Sequence, residues 1–188
     1  MSASLAGVVV TVWTRPLSAS HLLTGGQRIE QLVKLQTADI EPESILLHDG
    51  KGRPGRPPRP HSVPLTKEAQ KTLAECGPSG LFALSTDEGE THVAATTLSG
   101  WASAAASEAI DGFQAKRIRS SVETLLASAG VSQDLRGRLQ SHGIAGVQAR
   151  HCDGHDYLPE KRKALETLYK LVEQRGESNV TSITRKRA

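Results

Sequence analysis

The sequence predicts a mostly helical α+β domain carrying one small antiparallel sheet. Three observations lead there. Apolar residues recur at helical spacing through most of the chain, as in "QAKRIRSSVETLLASAG" (114–130), where Ile118, Val122, Leu125 and Leu126 share a face. A single stretch, "SILLHDGKGRPGRPPRPHSVPLT" (44–66), reads instead as strand, loop, strand. Aromatics make up only 3% of the residues and hydrophobics 37%, so the core must be built from Leu, Ala, Val and Ile. That composition suits helices packed through small side chains better than an aromatic-rich sandwich.

At 188 residues the chain is long enough for one domain with a proper core. The apolar run "LAGVVVTVW" (5–13) is too short to span a membrane and has no basic residues before it. It reads as a strand or buried segment, or as a divergent leader covering 1–19. In "SHLLTGGQRIEQLVKLQ" (20–36) the helical recurrence breaks at Gly25-Gly26, predicting two short helices that meet there. The strand Ile45 to His48 follows, Asp49-Gly50 is a turn signal, and a second strand centres on Ser62-Val63. The proline-rich loop between the strands cannot be helical.

Thr66 is placed to cap a helix running to about Glu75, which Gly77-Pro78 stops. A small-residue helix is expected over 96–110 and a strong one over 114–130, with Gly130 past its end. Short helices around 134–140 and 145–150 come next. A last helix starts after Pro159, and "SNVTSITRKRA" forms a basic tail within 176–188. Cys76 and Cys152 form neither a CxxC pair nor a disulfide framework, so a reducing compartment is expected. Cys76 reads as a buried, inert thiol.

The net charge of +3 is too small to identify a partner by itself, so placement matters. From Lys51 to His61 stand Lys51, Arg53, Arg56, Arg59 and His61 with no acid among them. Such a run is either a solvated loop or a phosphate-contacting one. Lys116, Arg117 and Arg119 sit at the start of a helix, where the dipole disfavours cations unless an anion binds among them. Arg28 lies beside the Gly-Gly break. Three separated basic spots suggest one polyanionic partner, nucleic acid first.

Taken together, these segments resemble the catalytic domain of the tyrosine recombinase (phage integrase) family, in its prophage and genomic-island form. "LLTGGQRIEQLVKLQTADI" is similar to the stretch bearing the family's first active-site arginine, which points to Arg28. "LLHDGKGRPGRPPRPHSVPLT" resembles its β-hairpin and points to Lys51. "FQAKRIRSSVETLLASAGVS" resembles its His-x-x-Arg box, with Lys116 at the histidine position and Arg119 as the second arginine. "LQSHGIAGVQARH" is similar to its Gly-His segment and points to His142. The resemblance runs over 20–175, in the family's order.

The resemblance implies a fold and a chemistry. A tyrosine hydroxyl attacks a DNA phosphodiester, giving a 3′-phosphotyrosyl enzyme and a free 5′-hydroxyl, and a second hydroxyl reverses the step without cofactor or metal. Two arginines clamp the non-bridging oxygens, and a hairpin lysine protonates the leaving oxygen. Arg53, Arg56, Arg59 and Arg117 are the expected further DNA contacts. The implied partner is double-stranded DNA, bound as a tetramer, with a monomer or weak dimer alone. The implied location is the bacterial cytoplasm. A preceding DNA-clamping domain is absent from these residues, so the chain is expected to be the catalytic domain alone.

Besides Lys116 in place of the histidine, a second position departs from the family, at the reacting atom. The nucleophilic tyrosine of the subgroup stands ten places after the Gly-His histidine; here that place is Cys152, in "RHCDGHDY". Either Cys152 replaces the nucleophile and cleavage is lost or poor, or Tyr157 attacks in its stead. A third alternative is a metal site from His151, Cys152, Asp153 and His155, with the protein a small metal-binding interaction domain. A non-catalytic DNA-binding remnant is the remaining rival.

Overall fold

The computed structural model describes residues 16–50, 55, 57–106, 112–142 and 155–177. The expectations for 5–13, Lys51, Arg53, Arg56, the 145–150 helix, His151, Cys152, Asp153 and the tail beyond 177 lie outside them. Helix α1 (Pro16–Leu23) and α2 (Ile29–Leu32) are the two short helices expected around the glycines. Helix α1 starts at a proline, whose fixed φ and missing N–H suit a first helical residue. Gly25 and Gly26 take φ of 87° and 69°, the left-handed region that side chains resist.

The hairpin follows, β1 (Ser44–Asp49) against β2 (Arg59–Pro64), antiparallel with Ile45 opposite Val63 and Asp49 opposite Arg59. Asp49 is the last strand residue and is buried, rather than a turn acid. Helix α3 (Lys67–Glu75) is capped as expected, the Thr66 hydroxyl accepting from Ala69 N at 3.3 Å. Helix α4 (Ala95–Ala106) begins one residue before its expected start. Helix α5 (Lys116–Ser128) buries Ile118, Val122, Leu125 and Leu126, the face its spacing predicts. Helix α6 (Gln133–Leu139) is capped by Ser132, whose hydroxyl accepts from Leu135 N.

Helix α7 (Leu158–Glu177) starts one residue before Pro159. The Asp156 carboxylate accepts from the first helical N–H, which satisfies the exposed end a residue early.

The main core joins Leu22, Leu32, Leu47, Leu65, Leu126, Leu139 and Leu165, and Leu98 of α4 packs with Val33 and Val93 in a second, smaller cluster. Helix α7 is also stitched to the hairpin. Lys161 Nζ donates to Ser62 O at 2.9 Å, and Arg162 Nη1 to Leu65 O at 2.7 Å. No helix among the described residues is long and apolar enough to cross a membrane.

Candidate functional site

Two buried glutamines assemble the site. Gln27 Nε2 donates to Thr24 O and Leu139 O, both at 2.8 Å, and its Oε1 accepts from His61 Nε2 at 3.2 Å. Gln140 Nε2 donates to Gly25 O at 3.0 Å and Arg119 O at 3.1 Å. These amides tie the Gly-Gly turn to the start of α5 and to the segment after α6. Each amide thus bridges backbone carbonyls of two separate segments.

Arg28 and Arg119 consequently face one groove of about 1000 Å³, which Lys116, Gln31, His48 and Gly50 also line. Arg119 Nη1 donates to Gly26 O at 3.1 Å, and its Nη2 bonds Gln140 O. Burial, and then the neighbouring Arg28 charge, push the Arg119 guanidinium down to about 10. It therefore stays charged at neutral pH, in a place where a bound anion would relieve both costs. Arg28 is tied by Nη1 to Asp49 Oδ2 at 3.0 Å and by Nη2 to Ser141 O at 3.1 Å.

His142 follows directly. Because both donors of Gln140 are spent on carbonyls, its Oε1 is an acceptor, and His142 Nε2–H donates to it at 3.0 Å. Burial first, and Arg119 second, lower the His142 pKa, so the neutral ring keeps Nδ1 as its acceptor. Glu123 Oε2 lies 3.9 Å from Nε2 and opposes that shift. Neither Glu123 nor Gln140 was legible as a site residue.

Lys116 lines the groove at the first turn of α5, and Arg117 beside it is exposed. Arg59 belongs to β2, paired with Asp49 Oδ2 at 3.2 Å. His61 is not part of the cationic surface: it is buried, and desolvation pushes it down to about 3, so it is neutral. Tyr157 packs its ring under the Arg138 guanidinium, 4.0 Å from the centroid, with His155 edge-on at 4.5 Å. Its ring is not among the groove's walls. Among the described residues no group of His, Cys, Asp and Glu could hold a metal ion. Cys76 is half-buried and its thiol is pushed up to about 12 by burial, which keeps it protonated and unreactive.

This fold, a helical body around one short hairpin, is similar to that of solved recombinases and integrases. Solved structures that share it include XerA recombinase, at TM-score 0.61 and 15% identity over 90% of this chain and 62% of that one. An integrase from mycobacterium phage Brujita aligns at 0.60 and 16%, over 93% and 57%. A lambda integrase (75–356) dimer bound to a COC′ core site aligns at 0.57 and 18%, over 76% and 57%. At these identities the likeness is one of fold, and the chain spans less than two thirds of each of those structures. No protein-family model matches the sequence, and no curated protein is significantly similar to it.

Proposed function

We propose that this chain is the catalytic domain of a DNA-breaking and rejoining recombinase of the tyrosine type, used in integration or excision of a mobile element. A DNA phosphate sits between Arg28 and Arg119, with Lys51, Lys116 and His142 completing the cradle. Arg53, Arg56, Arg59 and Arg117 contact the flanking backbone. The observation that carries this reading is the convergence of Arg28 and Arg119 on one groove from elements 91 residues apart. Two guanidinia on one groove match the charge that builds on a phosphate's non-bridging oxygens.

Cys152 stands at the nucleophile's place, and this favours a second reading of the same groove: a DNA-binding remnant that no longer cuts. The two are separated with a nicked suicide duplex that traps covalent protein–DNA adduct. We expect duplex binding that Arg28→Ala and Arg119→Ala each weaken; adduct from the natural chain marks a working recombinase, and binding without adduct marks the remnant. Cys152→Tyr, in a chain supplied with a DNA-clamping domain, should restore adduct. An adduct from the natural chain lost in Tyr157→Phe assigns the attack to Tyr157, and one lost only in Cys152→Ala assigns it to the thiol. Failure of the natural chain to bind duplex, or indifference to both arginine variants, overturns the reading.

A further inference from the structure

Beside the groove, Arg28 and Arg59 share two partners, Asp49 and Ser141, to which the proposed function gives no role. The Asp49 Oδ2 atom accepts from Arg28 Nη1 at 3.0 Å, Arg59 Nη2 at 3.2 Å and Ser141 Oγ at 2.7 Å. Ser141 adds two bonds of its own, its Oγ accepting from Arg59 Nη2 at 2.7 Å and its carbonyl from Arg28 Nη2 at 3.1 Å. Strand β1, strand β2, the Gly-Gly turn and the segment after α6 are thereby joined at one carboxylate oxygen. The sequence separations run to 113 residues, so only the folded chain brings them together.

We propose that Asp49, with Ser141, is a positioning residue that holds Arg28 and Arg59 as one rigid pair aimed at successive DNA phosphates. This rests on the DNA reading above and extends it, since it makes Arg59 a working partner of Arg28.

Depth carries the argument. The Asp49 side chain is 6% exposed, whereas those of Arg28 and Arg59 are 23% and 35% exposed. An acid that competed with phosphate would have to lie on the solvent side of the guanidinia. Asp49 lies beneath them, where an incoming phosphate cannot displace it. A guanidinium has five N–H donors in a fixed fork, so a carboxylate gripping one edge leaves another for a ligand. Holding a long, rotamer-rich side chain in advance lowers the entropic cost of binding. Ser141 supports this from an unfavourable backbone: its φ is 53°, in the left-handed region, which the local structure must over-determine to maintain.

Charge and geometry make opposite forecasts, which gives the test its sign. Asp49→Asn removes a negative charge from a cationic site, so electrostatics alone predicts tighter DNA binding. Positioning predicts weaker binding, because two freed arginines must be ordered again. The probe is a fluorescein-labelled duplex titrated at several salt concentrations, with guanidinium ¹⁵N NMR on the same proteins. We expect Asp49→Asn to bind about tenfold more weakly and to flatten the salt slope by about one to two counterions. We also expect the slowly exchanging Arg28 and Arg59 guanidinium signals of the natural chain to broaden or vanish.

Ser141→Gly covers the case in which Asp49→Asn fails to fold. It relieves the positive φ, keeps the carboxylate, and should loosen Arg59 with about a threefold loss of binding. Equal or tighter binding by Asp49→Asn with an unchanged slope overturns the positioning role. If Asp49→Asn does not fold, unchanged binding by Ser141→Gly overturns it. In both cases the DNA reading survives so long as Arg28→Ala still weakens binding. A natural chain that ignores the duplex overturns the DNA reading and this proposal together.

Discussion

Gly26 and Arg119 meet backbone to backbone: a Cβ added at residue 26 would stand 2.9 Å from the Arg119 Cα. The contact registers the turn that carries Arg28 against the helix that carries Arg119. Gly26→Ala meets both this clash and a φ of 69°, and should destabilise the protein by about 3 kcal/mol. Gly130→Ala is the control, since φ is 78° there but nothing lies within 4 Å, and about 1 kcal/mol is expected. Urea unfolding of the two variants measures the difference; equal losses would mean the close approach does not matter.

Acid should unfold this domain sooner than its carboxylates alone would dictate. His21 donates from Nε2 to Gln27 O at 2.7 Å and is pushed down to about 4; His61 is pushed down to about 3. Burial is the main cause for both. Their folded pKa values lie below the unfolded 6.5, so the unfolded chain takes up protons first as pH falls. The stability is whole above pH 6.5 and drains away towards pH 4 and below, by a few kcal/mol for the pair. A urea midpoint that drops between pH 7 and 5, and drops less in His21→Gln, is the expected result.

Glu123 is expected to set the protonation of His142. Its charge raises the histidine's pKa against burial and Arg119. Glu123→Gln should therefore move the His142 titration to lower pH, read from the ring proton shifts. An unchanged titration would remove Glu123 from the site's electrostatics.

Gln31 is 7% exposed, and neither its Nε2 nor its Oε1 has a partner among the described residues. Gln31→Met keeps the volume and removes an unpaired buried amide, so a gain of about 1–2 kcal/mol is expected in thermal or urea unfolding. A loss of stability instead would show that the amide is paired in solution.

Local chemistry was legible wherever it acts within one element. The Thr66 cap, the Gly25-Gly26 break, the apolar face of α5 and the Ile45 and Val63 strands all depend on residues a few positions apart. Their periods and turn preferences are properties of short peptides, and tertiary packing left them in place. The role of Asp49 was not legible. An Asp-Gly pair signals where a strand ends, but it does not tell that the carboxylate accepts from two arginines and a serine of remote segments. His61 was not legible either: a histidine in a basic run looks solvated until the fold covers it.

The order of the basic segments along the chain pointed to the fold, because motif spacing survives in one dimension. Which of those cations converge, which are braced by Asp49, and which imidazoles are neutral was decided only in three dimensions. Desolvation and Coulomb interactions depend on distance and depth, and neither is written in residue order.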